Sequence, residues 1–289
     1  MARHPFRILN VFTDPRASSL SGNALAVFED GSALSDEQMQ ALALQMNLSE
    51  TTFILPSADA TARVRIFTPT FEMPFAGHPT LGTAHVVREL RSAGDAVTLE
   101  MPAGIIPVSA RGQAWTLTAR SPRTRPAEAT RAELAQMLGV DEHEVRDGAM
   151  WVDTGSEQLM VRLTEPSAVA RCRPDPTLLV RFGSNARRAG LVYVWAHDDV
   201  PPDDDGEVVV ARFFFTKHGS VIEDPGTGSA CANLGGWLVT RRHELPVSVA
   251  VAQGAQTGRS CRLLLHVTRE GRIEVTGAVR EVGRGVIDV

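Results

Sequence analysis

Two short glycine-containing segments hold residue types that could bind and react with a small anion. Residues 76–82 are Ala-Gly-His-Pro-Thr-Leu-Gly, and residues 224–229 are Asp-Pro-Gly-Thr-Gly-Ser. Each segment is predicted to be a glycine turn that follows a strand-like run and precedes a run typical of a helix. Unpaired backbone N–H groups and the positive dipole end at a helix N-terminus bind carboxylates, and glycine lets a ligand approach the backbone. The two segments could therefore hold one anionic substrate, although ordinary strand-to-helix connections explain the glycines alone more simply.

Four polar side chains in and around these segments could carry chemistry, and each also has a purely structural interpretation. His78 could carry a proton or simply cap its own loop. Asp224 could orient that histidine or contact a substrate amine, or it could cap the following helix. Ser229 could donate to a substrate carboxylate or serve as a small packing residue. Glu50 lies in a polar segment, residues 47–52, and could be a general base or a solvated glutamate.

Other chemistries find little support in the residue pattern. Neither glycine segment has the spacing of a P-loop or of a dinucleotide-binding fingerprint. His78 and His85 lack a third zinc ligand, and the three cysteines lie too far apart for a zinc site or a disulfide framework. The chain contains 28 arginines and a single lysine, Lys217. A pyridoxal-phosphate enzyme needs a Schiff-base lysine and would therefore depend on Lys217 alone.

The elements that must position these residues are mostly strands. A Ser-x-x-Gln sequence at 35–38 and a Thr-x-x-Glu sequence at 130–133 are capping boxes, and they predict one helix over 36–47 and another that ends at Gly139. Strand-like runs lie at 6–13, 24–28, 53–55, 64–68, 97–101, 105–109, 115–119, 159–163, 191–195, 208–215, 247–252, 262–268 and 272–276.

One pattern repeats at about half the chain length. Residues 65–69, Arg-Ile-Phe-Thr-Pro, precede the first glycine segment, and residues 212–216, Arg-Phe-Phe-Phe-Thr, precede the second. This spacing indicates two duplicated halves rather than a solenoid. The runs after the glycine segments, 80–90 and 229–239, are apolar or small over most of their length. Because a helix without a polar face is buried, we predict a sheet wrapped around a central helix in each half.

Composition limits the class of protein. The chain has 289 residues, of which 43% are hydrophobic and 22% are charged, which is enough apolar residue content for a sizeable core. No apolar run reaches the length of a membrane span, and the N-terminus enters a strand-like run directly, so we expect no secretory signal. The net charge of −5 argues against nucleic acid as a partner. The unpaired cysteines favour a reducing, cytoplasmic location.

Four motifs, occurring in this order, resemble the phenazine-biosynthesis (PhzF-like) isomerase family. They cover residues 47–53, 65–69, 75–82 and 223–230. The Gly22-Asn23 and Gln253-Gly254 pairs also resemble positions of that family. The motifs are distributed over nearly the whole chain.

The resemblance implies an α+β fold like that of diaminopimelate epimerase. Two similar halves would each form a curved, mostly antiparallel sheet or barrel around a central helix. The N-terminal half would span 1–120, completed by 277–289, and the C-terminal half would span 121–276. The Pro- and Arg-rich residues 120–128 would cross from one half to the other. The active site would lie in the cleft between the halves, and the family relationship implies a homodimer.

The resemblance also implies the reaction: a cofactor-independent isomerase that shifts a proton on a small carboxylate-bearing substrate, as in phenazine biosynthesis. Glu50 would be the general acid/base, supported by His78 and Asp224, and neither a metal nor an organic cofactor is expected. The substrate-binding residues would be Gly77, Gly226, Thr227, Gly228 and Ser229.

Two alternatives to this reaction are a two-thiol stereoinversion and binding without turnover. Racemases of the wider superfamily use two opposed thiols, but the corresponding positions here hold Ala76 and Asp224-Pro225, so a two-cysteine stereoinversion is excluded. Cys231 is better explained as small core packing. A binding protein that keeps the site but has lost turnover is the alternative to the isomerase.

Overall fold

The computed structural model describes residues 2–202, 205–241 and 244–289. Its residue contacts divide the chain into two units, one formed by Met1–Thr118 with Thr276–Val289 and the other by Ala119–Val275. These borders fall close to the predicted halves, 1–120 with 277–289 and 121–276.

The first unit consists mainly of short strands. Its strands are β1 (Arg3–Val11), β2 (Asn23–Phe28), β3 (Glu50–Leu55), β4 (Ala62–Phe67), β5 (Glu72–Met73), β6 (Ala96–Met101), β7 (Gly104–Arg111) and β8 (Ala114–Thr118). Its helices are α1 (Asp36–Met46) and α2 (Gly77–Leu90).

The second unit contains more helices. Its strands are β9 (Arg123–Pro126), β10 (Met150–Asp153), β11 (Glu157–Arg162), β12 (Leu191–His197), β13 (Glu207–Lys217), β14 (Ser220–Asp224), β15 (Val247–Gln253) and β16 (Cys261–Val267). Its helices are α3 (Arg131–Leu138), α4 (Pro166–Arg171), α5 (Pro176–Phe182) and α6 (Gly228–Arg241). A final strand, β17 (Ile273–Asp288), begins in this unit and continues in the first.

Eight strands of the first unit close into a barrel. β17 pairs with β1 and β1 with β2, both antiparallel, and β2 pairs with β3 in parallel. β3 then pairs with β4, β4 with β6, β6 with β7 and β7 with β8. β8 pairs back with β17, where the Thr116 and Thr276 hydroxyls lie 2.7 Å apart. Closure leaves no unpaired barrel edge.

Helix α2 is the core of this barrel. It contacts β1, β2, β3, β4, β6 and β8, and its residues 78–87 are all buried. A side-chain carbon added at Gly82 would lie 2.5 Å from Cδ2 of Leu25, so the missing side chain lets the helix approach β2 closely. The predicted central helix is confirmed here.

Helix α6 has the same environment in the second unit. It contacts β9, β10, β11 and β16, and its residues 230–238 are buried. Added carbons at Gly235 and Gly236 would lie 2.6 Å from Ile273 and 2.8 Å from Val152. The fold is therefore α+β, with a buried helix among strands in each half, as predicted.

The internal repeat is visible in the strands that precede the two buried helices. Arg65 on β4 forms a bidentate ion pair with Glu72 on β5, and Arg212 on β13 forms the same pair with Glu223 on β14. Both strand pairs are antiparallel hairpins. The same arginine–glutamate pair thus holds each hairpin.

The register of the repeat continues into the helices. Met73 ends β5 four residues before α2 begins at Gly77, and Asp224 ends β14 four residues before α6 begins at Gly228. Both helices have 14 residues. His78 and Ser229 follow Gly77 and Gly228 directly, so they occupy the same, second, position of equivalent helices.

Local signals predicted several boundaries well, and tertiary context decided others. Both capping boxes are present, and Gly139 ends α3 in the left-handed conformation. The expected crossing at 120–128 is not a plain linker, since β9 lies within it and pairs with β10. Residues 76–82 are not a turn, because Ala76 is the extended N-cap and α2 starts at Gly77. Among the described residues, no helix is long and apolar enough to cross a membrane.

Candidate active site

Glu50 and His78 lie side by side in the first unit. Glu50 is the first residue of β3, and the left-handed C-cap residue Asn47 ends α1 just before it. His78 Nε2 lies 3.4 Å from Glu50 Oε2. The two side chains are only 6% and 16% exposed, so water screens their interaction weakly. The structure therefore places the predicted base next to the predicted histidine.

The imidazole of His78 is held by β2. Asn23 Nδ2 lies 3.4 Å from His78 Nδ1, and the ring also hydrogen-bonds to the backbone of Ala24. Burial lowers the pKa of His78 to about 3, and the Ala24 hydrogen bond opposes this shift only in part. His78 is therefore neutral near pH 7 and can serve as a hydrogen-bond partner without carrying a charge.

This depressed pKa of His78 predicts a pH-dependent stability. The unfolded chain binds a proton at His78 below its ordinary pKa of 6.5, whereas the folded chain binds it only near pH 3. The stabilisation is complete above pH 6.5 and decreases as the pH falls from 6.5 towards 3. At pH 5, which is about 1.5 pH units below the ordinary pKa of 6.5, the loss from this group amounts to about 2 kcal/mol at most.

Urea unfolding of the wild type and of His78→Gln at pH 8 and pH 5 measures this effect. We expect the variant to lose less stability on acidification than the wild type. Replacing the exposed His143 with Gln is the matched control and should leave the pH dependence unchanged. Equal pH dependence in wild type and His78→Gln would contradict the burial argument.

In the second unit, Gln253 of β15 organises the segment before α6. Its Oε1 accepts from the Thr227 backbone N–H at 3.3 Å. Its Nε2 donates to the Asp224 backbone carbonyl and to Thr227 Oγ1, both at 2.9 Å. Because the Thr227 oxygen accepts from Gln253, its own proton is directed to Asp224 Oδ2, with which it forms a short hydrogen bond. One carboxylate oxygen of Asp224 is thereby held in place.

Gly254, the next residue, must be glycine for this arrangement. It has a φ of +83°, and an added side-chain carbon would lie 2.4 Å from the backbone carbonyl oxygens of Pro225 and Arg259. The missing side chain lets the turn that follows β15 pack directly on Pro225, in the segment between Asp224 and α6.

Ser229 lies in the first turn of α6 and is partly exposed. Gln158 of β11 donates from Nε2 to Ser229 Oγ at 3.0 Å. Gly226 and Thr227 are buried, and Gly228 begins the helix. Backbone N–H groups in the first turn of a helix are the kind of donors that bind a carboxylate.

The predicted site residues thus form two groups. Glu50, Gly77 and His78 belong to the first unit, and the others belong to the second: Asp224, Gly226, Thr227, Gly228 and Ser229. Asp224 ends β14, and its carboxylate accepts a hydrogen bond from the Thr227 hydroxyl.

Four polar residues of these two groups were not predicted from the sequence: Asn23, Gln158, Asn233 and Gln253. Asn23 and Gln253 lie in segments that resembled family positions, so a signal existed for them. No signal marked Gln158 or Asn233, because their partners are distant in sequence.

The residues considered for metal, thiol and lysine chemistry lie as follows in the described part of the chain. No group of three or more histidine, cysteine or carboxylate side chains there could hold a metal ion. All three cysteines are buried, and burial raises the thiol pKa of Cys231 well above its ordinary value, which disfavours a thiolate. Lys217 pairs with Ser220 at the far end of the β13–β14 hairpin from Asp224. Cys231 is core packing, as predicted.

Comparison with known proteins identifies the family. The model of the phenazine biosynthesis-like protein family matches residues 9–286. The chain belongs to this PhzF family. A trans-2,3-dihydro-3-hydroxyanthranilate isomerase of Pseudomonas aeruginosa is 32% identical over 98% of this chain and 96% of that protein. An uncharacterized isomerase of Pasteurella multocida is 34% identical over 99% of this chain and 94% of that protein.

Solved structures agree with this assignment of the PhzF fold. A PhzF-family protein of Bacillus anthracis superimposes with a TM-score of 0.87 at 23% identity and covers the whole of both chains. A hydroxyproline epimerase of Agrobacterium vitis superimposes with a TM-score of 0.60 at 10% identity, over 99% of this chain and 92% of that one. This PhzF-family chain is an enzyme of the isomerase class.

Proposed function

We propose that this PhzF-family enzyme shifts a proton on a small carboxylate-bearing substrate, with Glu50 as the sole acid/base and no metal or organic cofactor. The observation that carries the proposal is the buried pair of Glu50 with a neutral His78, whose facing atoms are 3.4 Å apart. A positively charged imidazole at that distance would favour the ionised carboxylate and make Glu50 a weaker base. The neutral ring leaves the carboxylate basic enough to remove a proton from carbon.

The proton shift balances without another reactant. The Glu50 carboxylate accepts a proton from a C–H bond next to a double bond of the substrate. The electron pair of that bond moves into the conjugated system, and the double bond shifts by one position. The carbon at the other end then takes the proton back from the Glu50 carboxylic acid, which regenerates the carboxylate. One carboxyl group therefore serves as base and then as acid.

The second unit supplies groups suited to holding the substrate. The backbone N–H groups of Gly228 and Ser229 at the start of α6, with the Ser229 hydroxyl, are suited to the substrate carboxylate. Asp224, fixed by Thr227, is suited to a substrate amine. A ring carrying a neighbouring carboxylate and amine has both groups, as does the substrate named for the Pseudomonas aeruginosa relative. We therefore propose this amino-carboxylate class for the present chain.

Turnover of trans-2,3-dihydro-3-hydroxyanthranilate in deuterated buffer, followed by NMR, tests the proposal. We expect isomerised product, with deuterium at the new C–H wherever the Glu50 proton exchanges before it is returned. Dialysis against a chelator should leave the rate unchanged. Binding of the aromatic analogue 3-hydroxyanthranilate without any turnover would instead favour a binding protein that has lost catalysis. The absence of both binding and turnover would contradict the proposed substrate class.

Replacing Asp224 with Asn tests the proposed amine contact. The amide removes the negative charge but keeps the size, so 3-hydroxyanthranilate should bind on the order of tenfold more weakly, as for the loss of one charged hydrogen bond. Binding of 3-hydroxybenzoate, which lacks the amine, should change by less than about twofold, because no such hydrogen bond is lost. Asp153→Asn, which alters a carboxylate that accepts from Gly155, is the matched control. Equal weakening of both ligands by Asp224→Asn would contradict the assignment.

A further inference from the structure

A buried chain of polar side chains ends at Ser229. Asn233 is fully buried on α6, one helical turn after Ser229, and Gln158 on β11 is 1% exposed. Asn233 Nδ2 lies 2.8 Å from Gln158 Oε1, and Gln158 Nε2 lies 3.0 Å from Ser229 Oγ. Burying a side-chain amide in an apolar core costs free energy unless its hydrogen bonds are satisfied, so the presence of these linked amides needs an explanation.

A backbone N–H group determines the direction of the hydrogen bonds that link Asn233, Gln158 and Ser229. The Thr154 backbone N–H can only donate. The Asn233 side-chain amide atom that lies 2.9 Å from it must therefore be the oxygen, Oδ1, and not the nitrogen. Asn233 Nδ2 then faces the Ser156 carbonyl and Gln158, both at 2.8 Å. Gln158 must present its Oε1 to Asn233, and consequently its Nε2 donates to Ser229. The Ser229 oxygen is an acceptor in this contact.

Because the Ser229 oxygen accepts from Gln158, the Ser229 hydroxyl proton is available to donate to another partner. No described residue accepts that proton, and the side chain is partly exposed in the first turn of α6. The hydroxyl is therefore a donor that points away from the protein's own acceptors, next to the backbone N–H groups of the helix start.

We propose that Gln158 and Asn233 are positioning residues that orient the Ser229 hydroxyl as a donor to the substrate carboxylate. This inference rests on the proposed function, because it requires an anionic substrate at the start of α6. A hydrogen bond to an ionised group is stronger than one between neutral groups, so a donor that cannot turn away adds affinity at little entropic cost.

The two equivalent helices α2 and α6 carry different groups at their second positions, which supports a substrate-holding role for Ser229. The second position of α2 holds His78, which faces the carboxylate of Glu50. The second position of α6 holds Ser229, which faces an amide donor instead. One helix start is equipped for proton transfer and the other for holding an anion.

A double-mutant cycle with Ser229→Ala, Gln158→Met and the double variant tests the proposal. The measured quantity is the dissociation constant of 3-hydroxyanthranilate, compared with that of 2-aminophenol, which lacks the carboxylate. We expect Ser229→Ala and Gln158→Met each to weaken binding of the carboxylate ligand, the first on the order of tenfold. In the Ser229→Ala background, Gln158→Met should have no further effect, and 2-aminophenol binding should not change.

Gln158→Glu is a second variant that keeps the shape of the side chain. A carboxylate at this position still accepts from Asn233 but draws the Ser229 proton inward, so it should weaken binding at least as much as Ser229→Ala. Gln40→Met removes an amide that donates to the Thr68 carbonyl in the first unit and is the matched control. It should leave both affinities unchanged.

The outcomes separate this inference from the proposed function. Additive effects of Gln158→Met and Ser229→Ala, or wild-type affinity in Gln158→Glu, would overturn the positioning role while the substrate class stands. If the wild-type protein does not bind 3-hydroxyanthranilate at all, the proposed substrate class fails, and the inference fails with it.

Discussion

Glu50→Gln should lower turnover of trans-2,3-dihydro-3-hydroxyanthranilate by about 10²–10⁴-fold, the range typical of a general acid/base. The amide keeps the size of the side chain but cannot remove a proton from carbon. Binding should persist, because the donors for the substrate carboxylate are Ser229 and the start of α6 in the second unit. The measurement is kcat and KM, together with the dissociation constant of 3-hydroxyanthranilate and the incorporation of deuterium.

A second carboxylate in the same unit provides the control for Glu50. Glu100 is also partly buried and accepts a hydrogen bond from the Ser57 hydroxyl at 2.6 Å. Glu100→Gln should retain essentially full activity. If Glu50→Gln keeps more than about a tenth of the wild-type rate, the loss of rate is smaller than the low end of the general acid/base range, and Glu50 is not the base. His78 or Asp224 would then have to take that role.

Arg212→Met should destabilise the second unit by about 3–5 kcal/mol, the usual cost of breaking a buried ion pair from one side. The Arg212 side chain is 4% exposed, and its guanidinium binds Glu223 with two hydrogen bonds. It also donates to the backbone carbonyls of Val169, Ala170 and Cys172 at the end of α4. Methionine fills much of the space but removes both hydrogen bonds to Glu223 and the three to these carbonyls.

The equivalent arginine of the first unit is the matched comparison. Arg65 forms the same bidentate pair with Glu72, but its side chain is 15% exposed and its further partner, Asp36, is exposed. Arg65→Met should therefore cost less, since water can replace the lost hydrogen bonds. Urea unfolding, monitored by fluorescence and circular dichroism, measures both. Equal losses in the two variants would contradict the importance of burial.

Breaking the Arg212 pair should also reach the site. Glu223 precedes Asp224 on β14, and Phe213, which follows Arg212, is paired with Asp224 across the hairpin. We therefore expect Arg212→Met to weaken 3-hydroxyanthranilate binding even under conditions where the variant is folded.

Several features were predictable because they depend on residues close in sequence. The capping boxes of α1 and α3 are formed by side chains three positions apart, and Gly139 terminates α3 by its own conformational freedom. The burial of α2 and α6 followed from their lack of a polar face. The Arg-led strands before each glycine segment revealed the duplication, and four motifs in order indicated the family.

Other features required the tertiary structure, because distant residues create them. All four residues of β9 are exposed and show no strand-like alternation, and its pairing with β10 makes it a strand. β17 extends to Asp288 because β1 pairs with it in antiparallel fashion from Val279 to Asp288. Residues 76–82 looked like a turn because they contain two glycines and a proline, yet packing inside the barrel makes them helical from Gly77.

The sequence indicated four side chains that could do chemistry: Glu50, and His78, Asp224 and Ser229 in or next to the two glycine-containing segments. Their protonation and hydrogen-bonding states depend on the tertiary structure. Burial against β2 makes His78 neutral, and a buried amide chain anchored on the Thr154 backbone N–H determines which way Ser229 can donate. A pKa and a hydrogen-bond direction depend on the surrounding dielectric and on partners distant in the sequence, such as Gln158, which lies 71 positions from Ser229 and 75 from Asn233.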